Sequence, residues 1–428
     1  MSSVAIIVTI VNVLVAFIMS LGGAPILVWM ERRVAGFIQD RPGPNRCNIA
    51  GFRLGGLIQS IADMMKLVFK EDYKPGHIKR EFYFTLAPVI VFVTAFLTFM
   101  VMPLADVLVI DGRSFIMQAL PVEFGILWFL AFAGLSVYGI MLGGWASDNK
   151  YSLLGGLRAS AQMISYEAAM VLALISMLVV YGSVHLSDIA AYQGQLIFGF
   201  IPAWGILLQP IAAVIFIVTA FAETNRAPFD IAEGESEIVG GFHTEYSAMK
   251  FGLFFVGEYV AMCASSALIV TLFFGGYQLP WLNTTFLQTH IDAVLIGIAL
   301  LLPLLTVGFI RWMKRQNRWD GPAYDKRHRE TAALSKFFIG FNILILGLIA
   351  LVIVQGLGAN GANIATALLQ MITFGIKVYV MNFVYIWVRW TLPRFRYDQL
   401  QTLGWKVLLP LAIANIFVTA AVVVVFGV

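Results

Sequence analysis

The chain has 428 residues, of which 60% are hydrophobic and 12% charged, with a net charge of +4 and a mean hydropathy of +0.85. Soluble domains carry about 25% charged residues, so this composition excludes an ordinary soluble protein and predicts an all-α, polytopic membrane protein. The two cysteines, Cys47 and Cys263, are too few for a four-thiolate iron–sulfur site or a Cys-rich zinc site within this chain.

Ten apolar runs are long enough to cross a bilayer, which needs about 20 residues. They lie near residues 4–30, 82–102, 124–145, 161–181, 203–222, 251–274, 291–311, 337–355, 364–388 and 407–427. The first run is too long for a cleavable signal peptide and ends in Glu31-Arg32-Arg33, so we expect it to be a retained span. The short polar connections leave no room for a soluble domain, and we predict one integral membrane domain over residues 1–428.

The basic residues predict the orientation of these spans. The connections after spans one, three, five, seven and nine, with their flanks, hold 26 of the 28 Lys and Arg residues. By the positive-inside rule these connections are cytoplasmic. Both termini are therefore expected on the periplasmic side of the inner membrane of a prokaryotic cell.

The first cytoplasmic connection, residues 31–81, is long and has two parts. The segment Arg41–Arg46 is rich in Pro and Gly and cannot be helical. From Leu54 to Lys70 the apolar residues recur at helical spacing, which predicts an amphipathic helix at the membrane interface. This segment is either a surface-anchored linker or a loop that closes a lipid-accessible cavity.

An acidic stretch joins spans five and six. Between positions 223 and 245 the sequence contains six acidic residues and one basic residue, Arg226. The acidic residues are Glu223, Asp230, Glu233, Glu235, Glu237 and Glu245. Beside a bilayer, such groups must be shifted in pKa, neutralised or in contact with water, which suggests proton chemistry. An exposed acidic loop is the alternative, but the flanking segments 227–229 and 238–242 are apolar enough to fold back into protein.

Three charged residues lie within the predicted spans. Glu167 falls in the first turns of span four, Glu258 in span six and Lys377 in span nine. A charge at such depth costs a few kcal/mol on insertion scales and normally faces a bundle interior, water or a partner. Each Glu could also be a protonated residue in an interhelical hydrogen bond. For Lys377 we expect pairing with a buried Glu, because snorkelling is disfavoured far from both ends of the span.

Further acids on the cytoplasmic side are Glu31 and Asp63, and nearby basic residues could pair with them (Arg32, Arg33, Arg158 and Arg226). If these groups converge with Glu167 and Glu258, they form a chain of coupled titratable sites leading into the membrane. The sequence contains no P-loop, dinucleotide-binding fingerprint or His pair at haem spacing. We expect no redox centre, no metal site and no catalytic residue in this chain. The basic residues of the connections are better explained by membrane topology and by contact with anionic lipid than by binding of nucleic acid.

Five segments together resemble one family: Glu31–Asn45, Gly56–Asp63, Gly155–Glu167, Glu223–Ser247 and Arg389–Gln399. They are similar to the family of H subunits (subunit 1 in mitochondria) of proton-translocating NADH:quinone oxidoreductase, respiratory complex I. The similarity covers residues 1–280 and 364–428. It implies a subunit that joins the membrane arm to the peripheral arm, forms much of the quinone tunnel and couples quinone reduction to proton translocation.

The resemblance also implies roles for individual residues. The positions that would carry proton coupling are Glu31, Asp63, Glu167, Glu223, Glu233, Glu235, Glu237 and Glu258. Those that would lie by the quinone tunnel or the peripheral-arm interface are Arg32, Arg33, Gln39, Arg41, Arg226 and Asp230. Quinone would be the substrate, while FMN and iron–sulfur clusters would sit on partner subunits. The implied partners are the quinone-site and iron–sulfur subunits of the peripheral arm, small membrane subunits leading to antiporter-like subunits, and lipids.

The chain departs from the family pattern in two places. The family usually has eight spans, so residues 285–360 are predicted to be an insertion of two helices. The acidic loop commonly reads Pro-Glu-Ala-Glu in the family, whereas here it reads Ala232-Glu-Gly-Glu235. Two alternative assignments remain. The chain could be the homologous subunit of a related complex that uses another electron donor, or of a membrane-bound hydrogenase. The retained Glu31–Asn45 and Arg389–Gln399 segments weigh against the hydrogenase. A stand-alone secondary transporter would need internal repeats and broken helices, and the sequence displays neither.

Overall fold

A computed structural model describes residues 3–49, 52–197, 199–231, 240–316 and 327–426. These residues are mainly helical with very little sheet, which confirms the predicted all-α, polytopic architecture. The helices are α1 (Ser3–Ser20), α2 (Ala24–Ile38), α3 (Leu57–Phe69), α4 (Glu81–Phe99), α5 (Gly125–Ala146), α6 (Lys150–Tyr181), α7 (Leu186–Tyr192), α8 (Gly205–Leu208), α9 (Pro210–Glu223), α10 (Ala248–Phe273), α11 (Thr284–Thr289), α12 (Ile291–Gln316), α13 (Arg327–Gln355), α14 (Ala359–Thr391), α15 (Tyr397–Thr402) and α16 (Leu409–Phe426). A 3₁₀ turn, Leu54–Gly56, precedes α3, and a π-helical stretch, Leu403–Leu408, joins α15 to α16.

Two small antiparallel hairpins lie in the connections between helices. Strand β1 (Leu108–Ile110) pairs with β2 (Arg113–Phe115), and β3 (Leu196–Ile197) pairs with β4 (Ile201–Pro202). The first hairpin turns at Asp111-Gly112, and both residues have positive φ. This is the turn chemistry that a tight two-residue hairpin favours.

Within the described residues, nine helical segments are long and apolar enough to cross a membrane. The first joins α1 and α2 into 36 residues, about 54 Å, which exceeds the roughly 30 Å hydrocarbon core. Its last turns therefore extend beyond the bilayer core.

The fifth predicted span differs from expectation. Instead of a continuous helix over 203–222, the short α8 is followed by α9, which has 14 residues and is about 21 Å long. The break lies at Gln209, because the following Pro210 lacks an N–H and disfavours helical geometry in the residue before it. The side chain of Gln209 accepts a hydrogen bond from Asn415 at 3.1 Å and donates to Thr419 at 2.9 Å, which ties the break to α16.

The core of the bundle is built around α10, whose most apolar stretch is 72% buried. Helices α4 and α14 pack against it most extensively, and α2, α3, α7 and α9 also contact it. Close approach between α4 and α5 requires Gly139, because a Cβ there would lie 2.6 Å from the Val91 side chain and 3.1 Å from the Ala87 carbonyl oxygen.

The amphipathic helix is present as α3, and the Arg41–Arg46 segment is non-helical, as predicted. Ile58 is buried, while Met65, Val68 and Phe69 are exposed. The exposed apolar face of α3 suits a membrane interface or a partner.

Lys377 does not pair with a buried Glu, so that prediction is wrong. Its ammonium group donates to the backbone oxygens of Phe274, Gly276 and Gln278 at 2.8, 3.1 and 2.6 Å. These carbonyls follow the end of α10, where backbone oxygens are left without intrahelical donors and carry partial negative charge. The three bonds satisfy all three ammonium donors.

Candidate functional site

A buried cluster of four charges lies where α2, α10 and α14 meet the segment after α9. Arg226 is centred between two acids, with its guanidinium 3.6 Å from a Glu31 oxygen and 3.7 Å from a Glu258 oxygen. Glu31 also forms an ion pair with the Arg389 guanidinium at 2.6 Å, and it accepts a hydrogen bond from the Tyr259 hydroxyl at 2.6 Å. The ring of Tyr259 lies 4.3 Å below the Arg226 guanidinium.

This cluster is balanced in formal charge, with two acids and two guanidinium groups. Arg226 and Glu31 are buried, with side-chain exposures of 5% and 10%, so little water screens them. Burying ions is costly unless each is paired and hydrogen-bonded. The ion pairs and the hydrogen bond from Tyr259 to Glu31 offset part of that cost, and the arrangement places two carboxylates next to one another through a shared cation.

A small cavity continues from this cluster into the bundle. Glu258 and Glu223 both line it, together with Ser136, Asn225 and Ser265. Its volume is about 50 Å³, which is enough for water molecules. Water between hydroxyl, amide and carboxyl groups can relay protons, so the cavity links two acids that do not touch.

Glu167 is the fourth acid of this row. It projects from α6 towards α5, where a carboxyl oxygen lies 3.2 Å from the position that a Cβ on Gly134 would occupy. Gly134 follows Ala133, which lines the same small cavity as Glu223. The described acids therefore follow one another from Glu31 through Glu258 and Glu223 to Glu167.

The segment after α9 is held in place by α6. The side-chain amide of Gln162 donates to the backbone oxygens of Ala222 at 2.7 Å and Phe229 at 2.6 Å. Further along, Asp230 accepts from Arg394 at 2.9 Å and is buried. These bonds fix the position of Arg226, which lies between them in the chain.

Other predicted site residues lie at the surface of the protein rather than in the buried row. Arg32 and Asp63 form an ion pair, with side-chain exposures of 40% and 35%. Arg41 donates to Gln39 at 2.6 Å, and both are exposed. Glu245 accepts from Asn149 at 2.7 Å, on a different part of the chain from the Arg226 cluster.

Three predicted acids, Glu233, Glu235 and Glu237, lie outside the described residues. Their placement relative to the buried row is therefore not part of the geometry above. The described segment stops at Ile231, one residue after the Asp230–Arg394 pair.

A much larger apolar cavity, of about 960 Å³, is also lined by α2. Its lining comes from three parts of the chain: α2 (Trp29, Met30, Arg33, Val34, Phe37, Ile38), the segment leading into α3 (Phe52, Leu54, Gly55, Leu57), and helices α12, α13 and α14 (Phe309, Trp312, Met313, Ala333, Leu334, Phe337, Phe338, Phe383, Trp387). Arg33 is the charged residue of this lining. A cavity of this size and polarity is typical of small-molecule sites.

Sequence reasoning missed three members of these sites. Arg389 lay in a recognised segment without an assigned role, and Tyr259 had no predicted role. Glu330 lies within the predicted insertion, yet it is fully buried and pairs with Arg53 at 2.6 Å. The position of Glu330 among many basic residues was the sequence signal that could have indicated an ion pair. Within the described ranges, no group of three or more His, Cys, Asp or Glu residues could hold a metal ion.

Comparison with known proteins gives consistent matches over nearly the whole chain. A family profile described as NADH dehydrogenase matches residues 9–321 and 331–420. The chain is 41% identical to NADH-quinone oxidoreductase subunit 8 of Rhodothermus marinus over 406 residues, 94% of each chain. It is 40% identical to the NADH-quinone oxidoreductase H subunit of Salinibacter ruber over 404 residues (94% of this chain, 92% of the relative). It is 39% identical to the corresponding H subunit of Flavobacterium psychrophilum over 398 residues (93% and 92%).

Proposed function

The chain belongs to the NADH dehydrogenase family, as a relative of the H subunits of NADH-quinone oxidoreductases, and on this premise we propose that it admits quinone and couples quinone reduction to proton translocation. The observation that carries the proposal is the position of α2 between two sites. This helix lines the 960 Å³ apolar cavity and also presents Glu31 to Arg226. A redox event in the cavity would thus take place beside the helix that carries the first acid of the row.

The row of acids supports a proton path rather than a purely structural network. Glu223 and Glu258 share a water-sized cavity, and Arg226 holds Glu258 and Glu31 in one cluster. Closely spaced acids titrate as a set, so a charge placed near one of them changes the proton occupancy of the others. We infer that Glu233, Glu235 and Glu237 titrate as members of the same set.

The redox groups would lie outside this chain. FMN and iron–sulfur clusters would be held by partner subunits, which is consistent with the shortage of cysteines. The exposed Gln39–Arg41 and Arg32–Asp63 pairs would face the peripheral-arm subunits, and small membrane subunits would lead from Glu167 to antiporter-like subunits. The protein spans a bacterial membrane many times, and its termini would face the periplasm because the basic connections are retained in the cytoplasm.

The test replaces single acids by their neutral isosteres in the intact complex. Glu167→Gln and Glu235→Gln should each lower quinone-linked turnover and proton pumping to about a tenth or less, because an amide cannot carry a proton. The complex should still assemble. Glu123→Gln, an exposed acid between α4 and α5, is the matched control. Pumping close to that of the unaltered protein in both Glu167→Gln and Glu235→Gln would contradict the proposal.

A further inference from the structure

The predicted insertion forms a hairpin of α12 and α13 that contacts the rest of the chain mainly near one end. The buried side chains Ile310, Met313, Glu330 and Ser335 cluster beside the connection at residues 317–326. Towards the middle, α12 exposes its apolar side chains, with Leu304 70% exposed. A hydrogen bond from Asn342 to Thr306 at 2.6 Å joins the two helices to each other.

Glu330 fastens this end of the hairpin to the segment before α3. Its carboxylate accepts three hydrogen bonds. They come from the Arg53 side chain at 2.6 Å, the Arg53 backbone N–H at 3.2 Å and the Gly55 backbone N–H at 3.0 Å. The side chain of Glu330 is fully buried. A buried carboxylate with a cation and two backbone donors is well satisfied, and removing it would leave Arg53 as an uncompensated charge. The hairpin is therefore held at a fixed position beside Gly55.

The fastened end of the hairpin is also one wall of the large apolar cavity. Phe309, Trp312, Met313, Ala333 and Phe337 face it from α12 and α13. The opposite wall is α2, and Gly55, whose N–H is bonded to Glu330, lies in the lining between them. Without the hairpin, this face of α2 would be an open surface.

We propose that the α12–α13 hairpin is a structural wall of the quinone access cavity and contacts the isoprenoid tail of a long-chain quinone. The proposal rests on the function proposed above. An isoprenoid tail fits because the lining is apolar and aromatic over about 960 Å³. The guanidinium of Arg33 supplies hydrogen-bond donors that suit a quinone carbonyl, and Glu31 lies on the same helix as Arg33.

The experiment uses the complete complex and places the same bulky residue at three positions. Ala333→Trp fills the cavity from the hairpin, and Ile38→Trp fills it from α2. Ala350→Trp lies on the same helix as Ala333, exposed and away from the cavity, and is the matched control. Steady-state kinetics are measured with a long-chain quinone and with a short-tailed analogue.

Ala333→Trp should raise the KM for the long-chain quinone about tenfold, the scale on which apolar pockets discriminate shape. Its maximal rate with the short-tailed analogue should stay within about twofold, because the wall contacts the tail rather than the reacting ring. Ile38→Trp should also raise the KM for the long-chain quinone, and Ala350→Trp should leave both quinones unchanged.

Two other outcomes separate the inference from the function it rests on. If Ile38→Trp raises the KM but Ala333→Trp does not, the hairpin is not a wall of the pathway, while the proposed function stands. If neither variant changes the KM although the complex reduces quinone, the cavity is not the route and the inference falls. Failure of the unaltered complex to reduce any quinone would instead overturn the proposed function.

A measurement on the unaltered complex covers the case in which a Trp variant does not assemble. A photoreactive long-chain quinone analogue should label α13 between residues 333 and 338, and excess long-chain quinone should suppress this labelling. Labelling of α2 without any on α12 or α13 would overturn the inference. Retention of a phospholipid acyl chain that quinone cannot displace would do the same.

Discussion

Removal of Arg226 offers the most direct test of the buried charge cluster. The guanidinium is the link between Glu31 and Glu258, at 3.6 and 3.7 Å. Arg226→Met keeps a long side chain that can still pack on the Tyr259 ring, but it deletes the positive charge. The cluster then holds two acids and one guanidinium, that of Arg389, so one negative charge is left uncompensated.

The size of the effect follows from the distances and the burial. At about 4 Å and an effective dielectric constant near 20, each acid–guanidinium contact is worth about 4 kcal/mol before desolvation is counted. Desolvation offsets much of this, and breaking a buried pair from one side typically costs about 3–5 kcal/mol. That cost is a large fraction of the stability of an ordinary domain. We therefore expect Arg226→Met to reduce the amount of assembled complex strongly and to lower its thermal midpoint.

A second substitution separates electrostatics from packing. Adding Glu258→Gln to Arg226→Met restores a neutral cluster, because one acid and one guanidinium remain. The double variant should recover assembly relative to Arg226→Met alone, with a coupling energy of up to about 3 kcal/mol. Proton pumping should stay low, because Glu258 can no longer exchange a proton.

The measurements are the amount of complex on native gels, its melting temperature and its pumping in vesicles. Arg113→Met, at an exposed position in β2, is the matched control. The reasoning is refuted if the double variant assembles as poorly as the sum of the two single losses. It is also refuted if Arg226→Met assembles like the unaltered protein.

Two further predictions concern elements that hold the site in place. Lys377→Met should lower the melting temperature without abolishing turnover, because the three carbonyls after α10 lose their hydrogen-bond donor. Hydrogen bonds to a charged group contribute about 1.5–3 kcal/mol each. An unchanged melting temperature would contradict this prediction. Gly205→Ala should destabilise the start of α8, since a Cβ there would lie 2.2 Å from the Leu272 backbone oxygen and 2.6 Å from the Tyr181 hydroxyl. Such overpacking costs about 1–3 kcal/mol, measurable by thermal unfolding with Gly297→Ala, which has open space around it, as the control.

The spans could be predicted from sequence because their signal is local. Hydropathy over about 20 residues and the charge of the connections are properties of short windows. The shortened fifth span was also encoded locally, in Pro210, but the apolar residues on either side of Gln209 masked the break. A hydropathy count does not distinguish a continuous helix from two helices separated by one non-helical residue.

Partners across the bundle could not be predicted in the same way. Glu31 and Arg389 lie 358 positions apart in the chain, and only the packing of α2 against α14 brings them to 2.6 Å. For Lys377 the sequence indicated depth but not that α10 ends beside it, so carbonyls were not considered as partners. The Arg53–Glu330 pair could not be predicted for a related reason. It joins two segments whose sequences are both typical of solvated connections.

The geometry of α2 sets a scale for the coupling between the two sites. Met30, Arg33, Val34 and Phe37 recur at helical spacing along the cavity face, while Glu31 points to the cluster. A helix with its side chains is about 10–12 Å across, so a charge in the cavity that lies about that far from Glu31 interacts with it by about 1–2 kcal/mol at an effective dielectric constant near 20. That is close to a tenfold change in a proton equilibrium. A charge formed in the cavity can therefore alter proton occupancy in the acid row without any large movement of α2. Infrared difference spectra of quinone reduction should show a carboxyl change that Glu31→Gln removes, and identical spectra would exclude this direct route.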